Sequence, residues 1–295
     1  MTPAGSTLLK SAEVAELLRV HPTQVYRLLA RGLPGRRVGG EWRFDRDEVL
    51  RWAGSGAGDE RAAEPVHAPA ATADAAAPPP LIAANGDVVI ELLLAHANTG
   101  ASPLLGFVQA DSGAALRLLA EERVLAAGCH GDGPPPRVGE RRLARLHLVT
   151  REVGLAWRAG APAVSVARLP KLRVAARPAT AGVMLHLRHA LAKSGVKLGK
   201  HAVLGSHREV VCAVARGECD AGIVTRAWAE RVGLAFRAIA TEPYWLAVFA
   251  ERLGHPLVTR LCEVAQTRPF RDGLACVPGY DVGSTGDIRY DPETA

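Results

Sequence analysis

The chain has 295 residues, room for two domains, and its 48% hydrophobic and 22% charged residues are those of an ordinary soluble globular protein. A formal net charge of +6 is compatible with a nucleic-acid partner without demonstrating one. Five cysteines, an odd number with no CxxC pair, argue against a disulfide framework or a zinc ribbon and for free thiols in a reducing cytoplasm.

The N-terminus carries no basic-then-apolar leader, which leads to the expectation of a cytoplasmic protein. Around Leu92 to Ala110 the longest uncharged stretch is interrupted by His96, Asn98, Gly100, Pro103 and Gly106, so no membrane span is expected.

Residues 8–53 predict two short helices, a basic hairpin and a third helix. In SAEVAELL, Val14, Leu17 and Leu18 share one face, and Ser11 is the expected cap. Pro22 suits the first turn of a second helix running to about Arg31, with Val25, Leu28 and Leu29 buried. Its outward residues are Thr23, Gln24, Tyr26, Arg27 and Arg31, the donors of a recognition helix. Val38, Trp42 and Phe44 flank a Gly39-Gly40 turn, a hairpin signal, with Arg36, Arg37 and Arg43 on it. Asp45 is placed to cap the third helix, and Val49 and Trp52 to pack it back.

The run VAELLRVHPTQVYRLLARGLPGRRVGGEWRFDRDEVLRWA resembles the excisionase-type, MerR-related winged helix-turn-helix. That resemblance implies duplex DNA as partner. Thr23, Gln24, Tyr26 and Arg27 would then reach bases or flanking phosphates. Arg36, Arg37, Trp42 and Arg43 would form the wing against the backbone.

Residues 54–80 are rich in Ala, Pro and Gly and lack apolar periodicity, so a disordered linker is expected between a 1–53 domain and an 81–295 domain. From Leu81 onward short β-like runs alternate with helices. VVIELLLAHA predicts a helix, GFVQA a strand, DSGAALRLLAEERV a turn and helix, and LAAGCH a buried strand. RRLARLHLVTREVGLAWRAG predicts one or two strands, and LRVAARPATAGVMLHLRHALAKSG a strand, a turn and a long helix. HREVVCAVARGECDAGIVTRAWAERVGLAFRAIA predicts helix, strand, helix and strand; PYWLAVF a strand; PLVTRLCEVAQTRPFRDGL a helix ending near Pro269.

The blocks ADSGAALRLLAEERVLAAGCH, TREVGLAW, SHREVVCAVARGECDAGI, EPYWLAVFAERL and GYDVGSTGDIRYD resemble, in that order, the type II periplasmic-binding-protein fold. LysR-type effector domains and molybdate-binding proteins share it, and it follows an excisionase-type helix-turn-helix in a group of bacterial one-component regulators. The resemblance implies a multidomain chain: a small winged helix-turn-helix and a two-lobed α/β domain with a cleft. It also implies two crossing segments near 150–158 and 243–250.

Ligands in such folds sit at strand ends and helix N-termini. Four turns qualify: Asn85, Gly86 and Asp87; Asp111, Ser112 and Gly113; Arg177 to Gly182, including Thr180; and Ser206 with His207. Each alone is more simply an ordinary helix cap; their recurrence favours a shared cleft. His130 and Tyr244 join the candidate ligand residues as a cleft-facing strand end and an aromatic of the second crossing segment. The third turn, RPATAG, departs from the RxxGSGTR pattern often found in the family. That leaves a different ligand, a weaker anion site, or a lobe that senses nothing, and Asp87 and Asp111 would repel an anion.

His186, His189, His201 and His207 have no carboxylate or Cys set to complete a metal site and are read as solvated or packing residues. Cys212 and Cys219 are expected in the core, and Asp220 at a turn. Neither a nucleophile with an adjacent base nor a P-loop or HExxH motif is present, so an enzyme is not expected. The function expected is a homodimeric, DNA-binding one-component regulator whose C-terminal domain senses a small molecule. By the resemblance this is a molybdate- or tungstate-like oxyanion, with no other cofactor. The alternative is a solute-binding protein whose N-terminal module docks onto protein.

Overall fold

The computed structural model describes residues 8–20, 24–25, 28–29, 32–38, 41–54, 78–131, 133, 138 and 141–291. The chain divides into two compact units: Met1–Ala77 with Glu251–Thr259 and Pro292–Ala295, and Pro78–Ala250 with Arg260–Asp291.

In the first unit, helix α1 (Ser11–Leu18) is followed by the antiparallel hairpin β1 (Arg36–Val38) and β2 (Glu41–Arg43) and by α2 (Arg46–Gly54). Val14, Val25, Phe44 and Val49 are fully buried, and Leu17, Leu18, Leu28, Leu29 and Trp52 pack around them. Leu9 and Phe44 exchange two backbone hydrogen bonds, 2.8 and 3.0 Å, which closes the module. Asp45 caps α2 as expected, its Oδ1 accepting from the N–H groups of Asp47 at 3.0 Å and Glu48 at 3.2 Å. Ser11 is not the cap of α1. Lys10 holds that position, and the Glu13 carboxylate, three residues on, accepts its N–H at 2.6 Å. Of the expected recognition helix, Gln24, Val25, Leu28 and Leu29 are helical. Thr23, Tyr26, Arg27, Arg31 and the Gly39-Gly40 turn lie outside the described residues, as does the Arg37 side chain.

The second unit is built on one sheet. Its strands are β3 (Leu81–Ala84), β4 (Gly106–Gln109), β5 (Ala126–His130), β6 (Leu143–Arg158), β7 (Val174–Ala176), β8 (His201–Val203), β9 (Ala221–Thr225) and β10 (Leu234–Phe249). They lie in the order β4-β3-β5-β10-β6-β9-β7-β8, with β11 (Tyr280–Asp281) and β12 (Ile288–Tyr290) added to β6. The two crossing segments are longer than expected. β6 and β10 have 16 residues each and pair antiparallel along their length. AFRAIA and PYWLAVF, expected as two strands, are one, because β10 absorbs its irregularities in register shifts at Ala238/Ala240 and Tyr244/Trp245.

On one side of this pair β3, β4 and β5 run parallel, covered by α3 (Val88–Asn98) and α4 (Ser112–Ala120). Leu119, Val124, Trp245 and Phe249 fill that lobe. On the other side β7, β8 and β9 run parallel. Helix α5 (Gly182–Lys193) packs one face through Leu187, and α6 (His207–Ala215) with α7 (Arg226–Arg231) packs the other through Val210, Val214 and Trp228. This is the expected two-lobed α/β fold.

The run expected as one helix ending near Pro269 is two, α8 (Pro256–Gln266) and α9 (Arg268–Ala275). Thr267 makes the break by accepting the Phe270 N–H at 3.4 Å, and Pro269 opens α9, where its missing N–H has no intrahelical partner to lose.

Replacing Phe44 by Ala removes the largest fully buried side chain of the first unit. It is expected to cost about 3–5 kcal/mol, read in chemical denaturation; a loss below about 1 kcal/mol contradicts this core.

Candidate ligand site between the lobes

The strand-to-helix turns of both lobes meet over the crossing strands. In three of the four, the chain supplies its own carboxylate. Asp87 caps α3 through Val89 N–H at 3.3 Å, and Asp111 caps α4 through Ala114 N–H at 2.9 Å. Ser206 caps α6 through Glu209 N–H at 3.0 Å, while the Glu209 carboxylate accepts from Gly205 N–H at 3.0 Å and the Ser206 hydroxyl at 2.9 Å. The fourth, α5, starts after Ala181 with no side-chain cap. Gly86 has a φ of +69°, a left-handed conformation that strains any residue with a Cβ and favours glycine.

Beneath the turns lies a fully buried guanidinium, Arg151 of β6. It donates to Asp87, to Glu242 Oε1 of β10 from Nε at 3.1 Å and Nη2 at 2.7 Å, and to His130 Nδ1 at 3.0 Å. Tyr280 donates to Asp87, and His186 of α5 meets Glu242 Oε2 at 2.8 Å. Tyr244 is fully buried, stacked on His130 with ring centroids 5.1 Å apart and lying 4.4 Å from the Arg151 guanidinium carbon. Burial alone would raise the Glu242 carboxyl, but the Arg151 cation and the hydrogen bonds from His186 and Arg151 outweigh it and hold it well below the usual range. Burial pushes the His130 imidazole down from 6.5 to about 4, so it is neutral near pH 7.

Several contacts tie lobe to lobe. Thr180 donates to Asp111 at 2.7 Å, Trp228 Nε1 donates to the Gly86 carbonyl at 3.1 Å, and Arg231 pairs with Glu91 at 2.8 Å. At Gly182 the first turn of α5 lies against His130, and a Cβ there would collide with the imidazole ring.

Beside these ties lies a cavity of about 740 Å³. Of the residues expected to bind ligand, Asn85, Gly86, Asp87, Ser206 and His207 line it. Ser112, His130, Arg177, Thr180, Gly182 and Tyr244 do not. His130 and Tyr244 belong to the Arg151 cluster, and Thr180 and Gly182 to the ties. Ser112 has a buried hydroxyl with no partner among the described residues. Arg177, 2% exposed, gives one hydrogen bond to the Leu204 carbonyl at 3.3 Å. Burial lowers it to about 10 against the pull of Glu209 and Asp111. Asp87 does not confront an anion as expected, because its carboxylate is fully buried between Arg151 and Tyr280.

Sequence reasoning missed Arg151, Glu242 and Tyr280. The signal for the first two was charge inside two apolar runs, the Arg151-Glu152 pair in LHLVTREVGLAW and Glu242 alone in AIATEPYWLAVF. His186 is neither solvated nor a packing residue but a partner of Glu242, and Cys212 lines the cavity rather than the core. Asp220, expected to fix a turn, instead ties the approach to β9 to that of β7, accepting from Arg173 N–H at 2.9 Å. All five cysteines are free, and among the described residues no group of three or more His, Cys, Asp and Glu could hold a metal ion. No helix among them is long and apolar enough to cross a membrane.

Two lobes on shared crossing strands, with a cavity between helix starts, define a binding-protein fold. A family model described as "PBP superfamily domain" matches residues 93–266, and the chain belongs to that family. A second model, a helix-turn-helix domain, matches residues 8–56. A search of curated proteins finds no match. Among solved structures the fold is similar to a periplasmic transporter (10% identity, 70% of this chain and 88% of the other, TM-score 0.54). It is also similar to the regulatory domain of MetR, a LysR family regulator from N. meningitidis (12%, 68% and 96%, 0.51). The effector binding domain of a BenM variant matches at 15% identity over 66% and 94%, with a TM-score of 0.50.

Arg151→Met leaves Asp87 and Glu242 buried without their cation and is expected to cost about 3–5 kcal/mol in denaturation. A neutral effect would contradict the pairing. Stability also falls on acidification. His130 has a folded value of about 4 against an ordinary 6.5, so between those values the unfolded chain binds protons that the folded chain refuses. Buried His207 is shifted the same way, and Glu242, depressed when folded, adds a loss in the same direction as pH falls further. Melting temperature should decline from pH 7 to pH 4; a rise over that window contradicts the buried neutral imidazoles.

Proposed function

We propose that this protein is a DNA-binding transcription regulator in which the two-lobed domain binds a small molecule and reports it to the helix-turn-helix domain. One observation carries the reading: a helix-turn-helix domain shares a chain with a binding-protein domain that holds a cavity between its lobes, lined in part by the buried polar residues Asn85 and His207. MetR, whose regulatory domain has a similar fold, is a LysR family regulator, which supports the pairing of such a domain with transcriptional control.

In this reading the helix containing Gln24 enters the major groove, with Thr23, Tyr26 and Arg27 beside it, and the excisionase-type, MerR-like wing of Arg36, Arg37 and Arg43 lies on phosphate. Trp42 belongs to the same wing, its ring stacked on Phe44 at 6.3 Å between centroids. One such module has a small footprint, so the protein acts as a homodimer on a repeated site in the cytoplasm. It performs no turnover. The effector works by favouring one arrangement of the lobes, and complete switching needs about 5.5 kcal/mol of differential affinity. The sequence resemblance implies a molybdate- or tungstate-like oxyanion, but the cation it would call on, Arg177, is buried at the turn before the uncapped start of α5 and does not line the cavity.

A gel shift with genomic fragments under competitor separates this reading from a solute-binding protein that docks onto other proteins. Arg43→Ala should weaken all duplexes alike, by roughly 1–3 kcal/mol, and lessen the salt dependence; Gln24→Ala should change preference at particular positions. Parent-like binding by both variants contradicts the docking.

A further inference from the structure

We propose that the inter-lobe cavity takes an uncharged, largely apolar organic molecule that presents an N–H or O–H donor to Asn85 and a neutral hydrogen-bonding group to His207, and that it is not an oxyanion site. This rests on the reading of the cavity as the effector site and names the class of its ligand.

Size comes first. At about 740 Å³ the cavity lies in the range that encloses drug-sized molecules, whereas a tetrahedral oxyanion, a handful of atoms, leaves most of it unfilled. Its walls are apolar where the two lobes face each other: Ile90, Leu94 and Phe107 on one side, Leu204 and Trp228 on the other. Phe107 is 39% exposed, an apolar surface that a ligand body would cover.

Next are the unpartnered groups. Asn85 is 5% exposed and His207 2%, and both line the cavity. Asn85 Oδ1 and His207 Nδ1 are buried and have no partner among the described residues. An amide oxygen accepts only, so it calls for a donor. Burial, reinforced by Arg177 and Arg151, holds His207 neutral, so the amide and the uncharged imidazole among the lining residues offer an anion no charge.

The N-termini that would otherwise attract an anion are occupied. Asp87, Asp111 and Glu209 sit at the starts of α3, α4 and α6. At α6, which with α3 starts on the cavity wall, Glu209 already takes the Gly205 N–H and the Ser206 hydroxyl. Arg177 does not line the cavity; it faces Leu204 O and the charges of Glu209 and Asp111. The charges that do line it are compensated: Asp87 by Arg151, Glu91 by Arg231 at 2.8 Å, and Glu218 by Arg216 at 2.7 Å. That leaves Arg208 and Glu209, exposed neighbours of opposite sign, whose pull on a ligand is screened by water.

The test uses the full chain and three probes at matched ionic strength: indole-3-acetamide, its anionic counterpart indole-3-acetate, and sodium molybdate. Melting temperature and titration calorimetry are the readouts. Indole-3-acetamide should raise the melting temperature, indole-3-acetate should bind at least about tenfold more weakly, and molybdate should do nothing. Glu209→Ala frees the Gly205 N–H and the Ser206 hydroxyl, and molybdate binding should appear in that variant alone. The proposal is overturned if molybdate or indole-3-acetate binds the parent as tightly as the amide, or if no probe binds. Should indole-3-acetamide bind the parent and leave its DNA affinity unchanged, the ligand class stands and the effector reading falls.

Discussion

The cleft depends on one cation in a place where water cannot reach it. Arg151 lies in the middle of a 16-residue strand that is otherwise nearly all buried. Removing a guanidinium from water costs several kcal/mol, recovered only when its donors meet acceptors of opposite charge in good geometry. Here the acceptors come from different elements: Asp87 at the start of α3, Glu242 on β10 and His130 at the end of β5. The planar fork therefore fixes the start of a helix, the pairing of the two crossing strands and the end of a third strand at once. Through Glu242 and His186 it also reaches α5 of the other lobe. A lysine, with one point of charge, would not hold these positions together.

The cavity follows from that arrangement. Because Asp87 is held downward by Arg151 and Tyr280, the Asn85–Gly86 backbone is presented to the other lobe, where Trp228 takes the Gly86 carbonyl. Because Asp111 and Thr180 bond each other, the second and third turns close one side of the cleft and leave the space between the first and fourth open. The same carboxylates that start the helices keep the site free of net positive charge. In the proposed reading, recognition is left to shape, apolar area and uncharged polar groups.

Much of this was legible in the sequence, and the reasons differ by element. The helix-turn-helix unit was readable because Val14, Val25, Phe44 and Val49 fall at helical or strand spacing and Asp45 precedes a helix directly. The lobes were readable because parallel strands buried on both faces appear as short apolar runs between helices. The four turns were found because helix starts have a local signature, but that signature does not tell a cap from a ligand site. Asp111 and Ser206 proved to be caps, and the occupant of the α6 start, Glu209, lay in plain view three residues after Ser206. The Arg151 cluster was not legible, because its members are separated by up to 193 positions and only the fold brings Asp87 to Tyr280. Helices α8 and α9 were merged because apolar periodicity runs through Thr267, and the break depends on which backbone N–H its hydroxyl caps.

The molecule joins a helix-turn-helix module to a ligand cleft, and a cleft that senses has meaning only if the module reads DNA. The most direct measurement is selection of duplexes from a random-sequence pool by the full-length protein at low ionic strength, followed by sequencing of the bound fraction. Enrichment of a short motif in two copies, lost when Gln24 is replaced, is the expected result. A bound pool indistinguishable from the input would contradict the regulator reading.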